Sequence, residues 1–311
     1  MTQILHPDLP QFVAFGEALT ELVRIGPDRW RSASGGSPWQ VAVAMSTLGQ
    51  LSAFAGAVSC DPFGADIWQA SQDAHLDMRF IQQLPRPPLL AVAHEVDPLR
   101  FFVIGQDSAD LHFRPEGLPA GWTRALRCAH FGSLGLVREP LAGRLRALAE
   151  ALKGEGRLIS YAPSLGAPTM DASYDDTLEQ MCRLADVITV SDTELRGLFR
   201  VHDHRTGLAQ IAAWNPGAWL LLTTGGTGAT LYHGAEESAG RPPRVEVADT
   251  VGAADITMAG LLDSLMRNAG APAAQHLRWA LAAGAAASTA HGFAPPRSAL
   301  VAALAEAVEI D

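Results

Sequence analysis

Along the amino-terminal third, apolar positions switch between a period of two and a helical period, and each block ends near glycine, proline or aspartate. The run "QFVAFGEAL" reads as a short buried strand ending at Gly16, and "ELVRIGPDRW" alternates into a Gly-Pro-Asp turn, which predicts an edge hairpin. "GGSPWQVAVAMSTLGQ" is helical. Val41, Met45 and Leu48 share a face, Ser37 is placed to cap, Pro38 suits the first helical position and Gly49 ends the helix. Strand "LSAFAGAV", helix "DPFGADIWQASQDAHL" and strand "DMRFIQ" follow, an order that implies right-handed crossovers and a parallel sheet.

Between Leu89 and Gln106 the rhythm changes. "LLAVAHEV" and "RFFVIGQ" flank "DPL" with no room for a helix, so a second hairpin is predicted. The two hairpins, over about residues 18–34 and 88–107, can form a small sheet apart from the main one. Alternation then resumes: strand "CAHFGSL", helix near Glu139 to Lys153, strand "RLISYAP", helix near Tyr174 to Cys182, strand "DVITV" and helix "DTELRGLF". "WLLLTTGG" and "GATLYHG" read as paired strands and "RVEVAD" as another, while Gly252 to Val308 is almost wholly helical and rich in alanine. Without an internal repeat or a long linker, residues 1–311 read as one α/β domain carrying the two hairpins as insertions.

Composition narrows the class. A chain of 311 residues with 48% apolar content can bury a large core. Its 33 acidic against 23 basic residues, a net charge of -10 with no block of like charge, argue against nucleic acid, which requires concentrated positive charge. Cys60, Cys128 and Cys182 lack metal-ligand spacing and fit a reducing compartment. "MTQILHPDLP" does not resemble a signal peptide, and no window reaches the roughly 18 apolar residues of a membrane span, so a cytoplasmic, membrane-free protein is expected.

Several chemistries have no sequence support: there is no Walker-type phosphate loop, no G-x-G-x-x-G after a strand, no G-x-S-x-G elbow and no H-E-x-x-H. The "HDH" at 202–204 reads as a polar loop before a helix, and His130 as a hydrogen-bonded residue of an apolar strand. One stretch does suggest chemistry. In "VEVADTVGAADITMAGLLDSL" the small residues Gly252, Ala253 and Ala254 open a helix, where free N–H groups and the helix dipole make a site for an anion. Asp255 lies in that first turn, where a base and an oxyanion stabiliser would stand side by side. From the pattern alone the structural use is favoured, since a first-turn aspartate gains roughly 0.3 to 1 kcal/mol from the dipole with no function needed.

"DTVGAADITMAGLL" resembles the carboxy-terminal signature D-T-x-G-A-G-D of the ribokinase-like, or PfkB, carbohydrate kinases. "GGSPWQVAVAMSTLGQLSAFAGAVSCDPFG" is similar to that family's G-G-x-x-x-N-x-A helix with the strand and D-x-F-G after it, "LLLTTGGTGATLYHG" to its nucleotide-side strand pair, and "FGEALTELV" to the opening of the fructokinase and ketodeoxygluconate kinase branch. The matches follow the family's order over nearly the whole chain. The resemblance implies a three-layer α/β/α fold with a mostly parallel central sheet and a small β lid. It also implies an ATP-dependent, fructokinase-like kinase acting on a hydroxyl of a small sugar or sugar acid, with Mg²⁺ bridging the phosphates, a monovalent cation as a further candidate, and a homodimer through the lid.

By the same resemblance Asp255 is the base, and the N–H groups of Gly252, Ala253 and Ala254 hold the transferring phosphoryl group. Glu21, Gly35, Gly36 and Gln40 fall on the sugar side. Ser191, Thr223, Gly225, Gly228 and Gly284 fall on the nucleotide side, and Glu194 supports the metal through water. The chain departs from the pattern where Glu21 replaces aspartate, Gln40 replaces asparagine, Ala254 replaces glycine, and Ala162, Ser164 and Gly166 replace the polar residues of D-P-N-x-R. Ser37-x-x-Gln40 and Ser191-x-x-Glu194 are also capping boxes, which explain both pairs without substrate. These departures leave a second expectation open, a degenerate kinase fold that binds sugar or nucleotide as a sensor or scaffold without turnover.

Overall fold

A twisted ten-stranded sheet divides the helices into two layers in the computed structural model, which describes residues 9–96, 99–163 and 171–311. Its first strand, β1 (Phe12–Phe15), is entirely buried and pairs in parallel with two later strands. The chain then leaves the sheet for the first hairpin, β2 (Leu19–Arg24) and β3 (Trp30–Gly35), and returns through α1 (Ser37–Thr47). β4 (Ser52–Ser59), α2 (Pro62–Asp73) and β5 (Ile81–Leu84) complete this half; Met78–Phe80, expected as the start of the strand, is a 3₁₀ turn.

The second excursion, β6 (Leu90–Val96) and β7 (Leu99–Ile104), pairs with the first into a separate four-stranded lid of order β3-β2-β6-β7. The turn at Asp97 and Pro98 lies outside the described residues. Back in the main sheet come β8 (Cys128–Gly132), α3 (Leu141–Gly154), β9 (Leu158–Ala162), α4 (Asp175–Leu184), β10 (Val187–Ser191), α5 (Asp192–Phe199), α6 (His204–Trp214) and β11 (Trp219–Thr223). Antiparallel β12 (Ala229–His233) and β13 (Glu236–Arg241) follow, then α7 (Ala253–Arg267), α8 (Ala273–Ala287), α9 (Ser298–Ala305) and a closing edge strand β14 (Glu309–Ile310).

The main sheet runs β14-β13-β12-β11-β10-β9-β8-β1-β4-β5, parallel from β11 to β5. One core packs α1, α2, α7, α8 and α9 on one face, around Phe12, Phe54, Met45, Leu261 and Leu277. The other packs α3 to α6 on the opposite face, around Phe15, Phe131, Leu145, Met181 and Ile211. Burial on both faces is why β4, "SAFAGAVS", reads as a nearly continuous apolar run.

Two expectations are corrected. "RVEVAD" is not a strand: residues 242–247 have no ladder partner, and Val247 is 60% exposed, so its alternation reflects an extended connection. Ser37 does not cap α1. The N-cap is Gly36, no side chain caps the helix, and the Ser37-x-x-Gln40 box does not form. The Ser37 hydroxyl points elsewhere. The box at Ser191-x-x-Glu194 does form, with both reciprocal bonds present.

Candidate active site

The carboxyl ends of β1, β8, β9, β10 and β11 bring Gly16, Gly132, Ala162, Ser191 and Thr223 to one edge of the sheet, Gly132 level with Ala162 and Ser191 with Thr223. The strand sequence turns back between β1 and β8, which is where an open α/β sheet leaves a crevice for ligands. The first turns of α1 and α7 face each other there: the Ser37 hydroxyl donates to Oδ1 of Asp255 at 2.6 Å across 218 positions of sequence.

The turn before α7 is built to expose backbone. Gly252 is left-handed at φ 72, and a Cβ on it would lie 2.5 Å from the Phe293 ring, so only glycine suits the position. Asp249 braces the turn by accepting from Val251 N–H at 3.1 Å and Gly292 N–H at 2.9 Å, and these bonds hold its carboxyl below the usual range. The Ala253 N–H is consumed by the Thr250 carbonyl at 3.1 Å, which corrects the expectation that it contacts an anion. Among the described residues the N–H groups of Gly252, Ala254 and Asp255 donate to no such internal partner. Ala254 lies inside α7 and not at positive φ, so its methyl group imposes no backbone strain where glycine was expected.

Asp255 is partly covered, and burial pushes its carboxyl up to about 7 from 3.8. The Ser37 hydrogen bond opposes that rise, while the carboxylates of Glu194 and Glu21 add to it. Glu21, on the lid, lies over Gly35, where a Cβ would meet Oε1 at 2.5 Å, and burial also lifts its carboxyl, with Arg31 opposing. Gly36 is at φ 104, with the Glu17 carbonyl 2.7 Å from where a Cβ would stand. The Gln40 side chain is buried yet has no hydrogen-bond partner among the described residues, so its amide is available to a ligand.

On the other side of Asp255, Glu194 accepts from Ser191 N–H at 2.7 Å and Ser191 Oγ accepts from Glu194 N–H at 3.1 Å. Glu194's second oxygen has no partner among the described residues. No cluster of three metal-binding side chains occurs among the described residues, so a dedicated protein cage is absent there. That donor set fits Mg²⁺, which is commonly held by one or two carboxylates, water and substrate phosphates.

Thr223 ends β11, and Gly225 and Gly228, both at positive φ, flank the turn to β12; a Cβ on Gly225 would meet open space, whereas one on Gly228 would lie 2.2 Å from the Gly240 carbonyl, so that glycine also serves the close approach of β12 and β13. Gly284 is different. Its Cβ direction is filled by Thr257 Oγ1 at 2.1 Å, so this glycine serves the close crossing of α8 over α7, and the geometry gives no support to the nucleotide role expected of it. Ala162 ends β9, and Ser164 and Gly166 lie outside the described residues.

Sequence reasoning missed three groups. Glu17, fully buried, accepts from Gly135 N–H at 2.8 Å and from Ser133, and burial lifts its carboxyl to about 7. Arg138 grips Asp110, Ser108 and the Gly105 carbonyl. The segment 133–138 therefore ties both roots of the lid to the end of β8. Only the "GE" after β1 hinted at this. Arg31, exposed on β3, shares the lid face of Glu21 and lies close enough to hold down the carboxyls of both Glu21 and Asp249. His130 is buried with Nδ1 2.8 Å from Ser160 Oγ, and His204 opens α6 behind the Asp203 cap, both as expected.

Comparison with known proteins supports the same reading of the fold. The profile described as pfkB family carbohydrate kinase matches residues 10–299. A fructokinase from Klebsiella pneumoniae is 32% identical over 289 residues, covering 89% of this chain and 92% of its own. The crystal structure of a fructokinase with bound ATP from Xylella fastidiosa superposes with a TM-score of 0.86 at 23% identity, over 96% of this chain and 99% of its own. A Vibrio cholerae O395 fructokinase with bound fructose, ADP and calcium gives a TM-score of 0.79 at 25% identity, over 95% and 99%.

Proposed function

Because the chain belongs to the pfkB family of carbohydrate kinases, we propose that it transfers the γ-phosphoryl group of ATP to a hydroxyl of a small sugar, fructose being the first candidate. The observation that carries this reading is Asp255 held by Ser37 at the mouth of a backbone anion hole, with a carboxyl poised near neutrality. Support for the donor and acceptor comes from relatives named as fructokinases, one of them with bound ATP.

In this reading the sugar hydroxyl gives its proton to Asp255, its oxygen bonds to the γ-phosphorus, and the bond from that phosphorus to the bridging oxygen breaks to release ADP. A base whose pKa lies near the working pH combines availability with proton affinity. The N–H groups of Gly252, Ala254 and Asp255 face the charge that develops on the transferring group, and the dipole of α7 adds to them. Gln40 and Glu21 orient the sugar from α1 and the lid. Ser191, Thr223, Gly225 and Gly228 line the nucleotide side. Mg²⁺, supported through water by Glu194, supplies neutralisation of phosphate charge when bound, and a monovalent cation is a further candidate cofactor.

A homodimer through the lid is favoured by Trp30, Phe102 and Ile104, which share the lid face opposite Glu21 and are 46%, 51% and 50% exposed. Among the described residues no helix is long and apolar enough to cross a membrane, and a cytoplasmic enzyme acting as one domain remains our proposal. A coupled ADP assay over ketoses, sugar acids and nucleosides tests the reading. Fructose turnover that disappears in Asp255→Asn supports it; sugar or nucleotide binding with no turnover of any acceptor favours the sensor alternative.

A further inference from the structure

We propose that Ser37 is a positioning residue for the base: its hydroxyl holds Oδ1 of Asp255, fixes the plane of the carboxylate, and leaves Oδ2 as the oxygen that takes the sugar proton. The inference rests on Asp255 being the base and goes beyond it, because it assigns the proton to one oxygen and gives the amino terminus of α1 a part in the chemistry.

Three observations carry it. First, the Ser37 hydroxyl has no structural duty in its own helix: the N-cap is Gly36 and no side chain caps α1, so its one bond is the 2.6 Å contact to Asp255. Second, its backbone is fixed from both sides. A Cβ at Gly36 would lie 2.7 Å from the Glu17 carbonyl, and one at Gly16 would lie 2.6 Å from the Pro38 ring, so strand β1, the lid root and α1 meet here without slack. Third, the same helical turn reaches the catalytic turn again. Trp39, anchored by donating Nε1–H to Ser71 Oγ at 2.9 Å, packs against Phe293 with ring centroids 5.9 Å apart, and Phe293 covers Gly252.

The contact also acts on proton affinity. The ionisable groups acting on Asp255 are Glu194 from α5 and Glu21 from the lid, and both disfavour its charge. The facing end of α8, "LAAGAAAS", offers no charged group. The Ser37 hydroxyl is therefore the side-chain contact that favours the ionised base, since a donor to a carboxylate stabilises its charged form. Only Gly36 separates Ser37 from the end of β3, so the lid root and the Asp255 carboxylate are joined through this one hydrogen bond.

The test compares wild type, Ser37→Ala and Ser37→Thr, each as the full chain. The Asp255 carboxyl is titrated by carbon NMR without ligand, and kcat/KM for fructose with ATP and Mg²⁺ is followed from pH 5.5 to 9. Losing one charge-assisted bond is expected to raise the Ser37→Ala midpoint by roughly one pH unit, displace the acidic limb equally, and lower kcat at neutral pH about tenfold. The fructose KM should stay within about twofold, as for a contact that does not touch the sugar. Ser37→Thr, which keeps the hydroxyl, should restore both. Coincident midpoints in all three proteins would overturn the proposal, as would a limb that moves equally in Ser37→Thr. Should Asp255→Asn retain turnover, the base assignment falls first, and the ligand-free titration still judges the contact.

Discussion

Replacing Asp255 with asparagine should abolish turnover while making the protein no less stable, and both halves follow from one burial. The amide oxygen can still accept from Ser37, so the turn keeps its shape and the sugar keeps its place. What disappears is the proton acceptor, a loss worth roughly 10² to 10⁴ in kcat. For stability, burial lifts the folded-state pKa from 3.8 to about 7. At about 1.4 kcal/mol per unit, holding the ionised group costs the native state at most about 4 kcal/mol.

The sign follows from proton binding. With the folded pKa above the unfolded value, the native protein binds this proton more tightly. The group's stabilising contribution is complete below about pH 4 and is lost as pH rises through about 7. Asparagine has no such dependence. The variant should therefore exceed wild type in stability at pH 8, and the difference should close toward pH 4. Coupled ADP formation and urea melts at pH 8 and pH 5 measure the two effects. Turnover within tenfold of wild type, or a variant clearly less stable at pH 8, would refute the argument.

Three further outcomes are expected. Gly252→Ala must place a Cβ at φ 72 against Phe293, so it should lose about 1–3 kcal/mol in denaturant melts and lower kcat by displacing the free N–H groups. Glu17→Ala strands the buried Gly135 N–H and should cost about 1–3 kcal/mol, whereas Glu17→Gln keeps an acceptor and should be more stable than wild type above about pH 7, where the native state must hold Glu17 charged. Gln40→Ala removes a buried amide with no hydrogen-bond partner among the described residues, so the sugar KM should rise about tenfold with melting temperature unchanged.

Much of this fold was legible because each half of it has a strong local period. The buried strands β1 and β4, the helix after Gly36 and the two lid hairpins follow directly from apolar spacing and turn residues. Where reading failed, a tertiary contact had taken over a local signal. Ser37 has every property of a cap, yet its hydroxyl is drawn to a carboxylate 218 positions away. Val245 and Val247 alternate like a strand, but no neighbouring strand lies beside them. Gly284, expected on the nucleotide side, also has a packing reason for lacking a side chain, since α8 crosses α7 there. Arg31 carried no pattern, and Glu17 only the "GE" after β1, since their importance lies in what the lid and β8 bring to them.

The departures from the family pattern separate by physical consequence. Ala254 sits in right-handed helix with its face to solvent, so the missing glycine changes neither the backbone nor the free N–H groups. The one position that does require glycine, the left-handed residue 252, has it. Glu194 keeps its carboxylate near Asp255 despite the capping box. Against this, Glu21, Gln40 and Ala162 alter the reach or polarity of groups that would touch the sugar. In the proposed reading, a site changed in this way keeps the carboxylates and backbone around Asp255 and changes groups assigned to the acceptor. We propose that these changes bear on which sugar is preferred, fructose being the first to compare, because the left-handed Gly252, the helix start and the Ser37–Asp255 contact are kept while the altered side chains are those assigned to the sugar side.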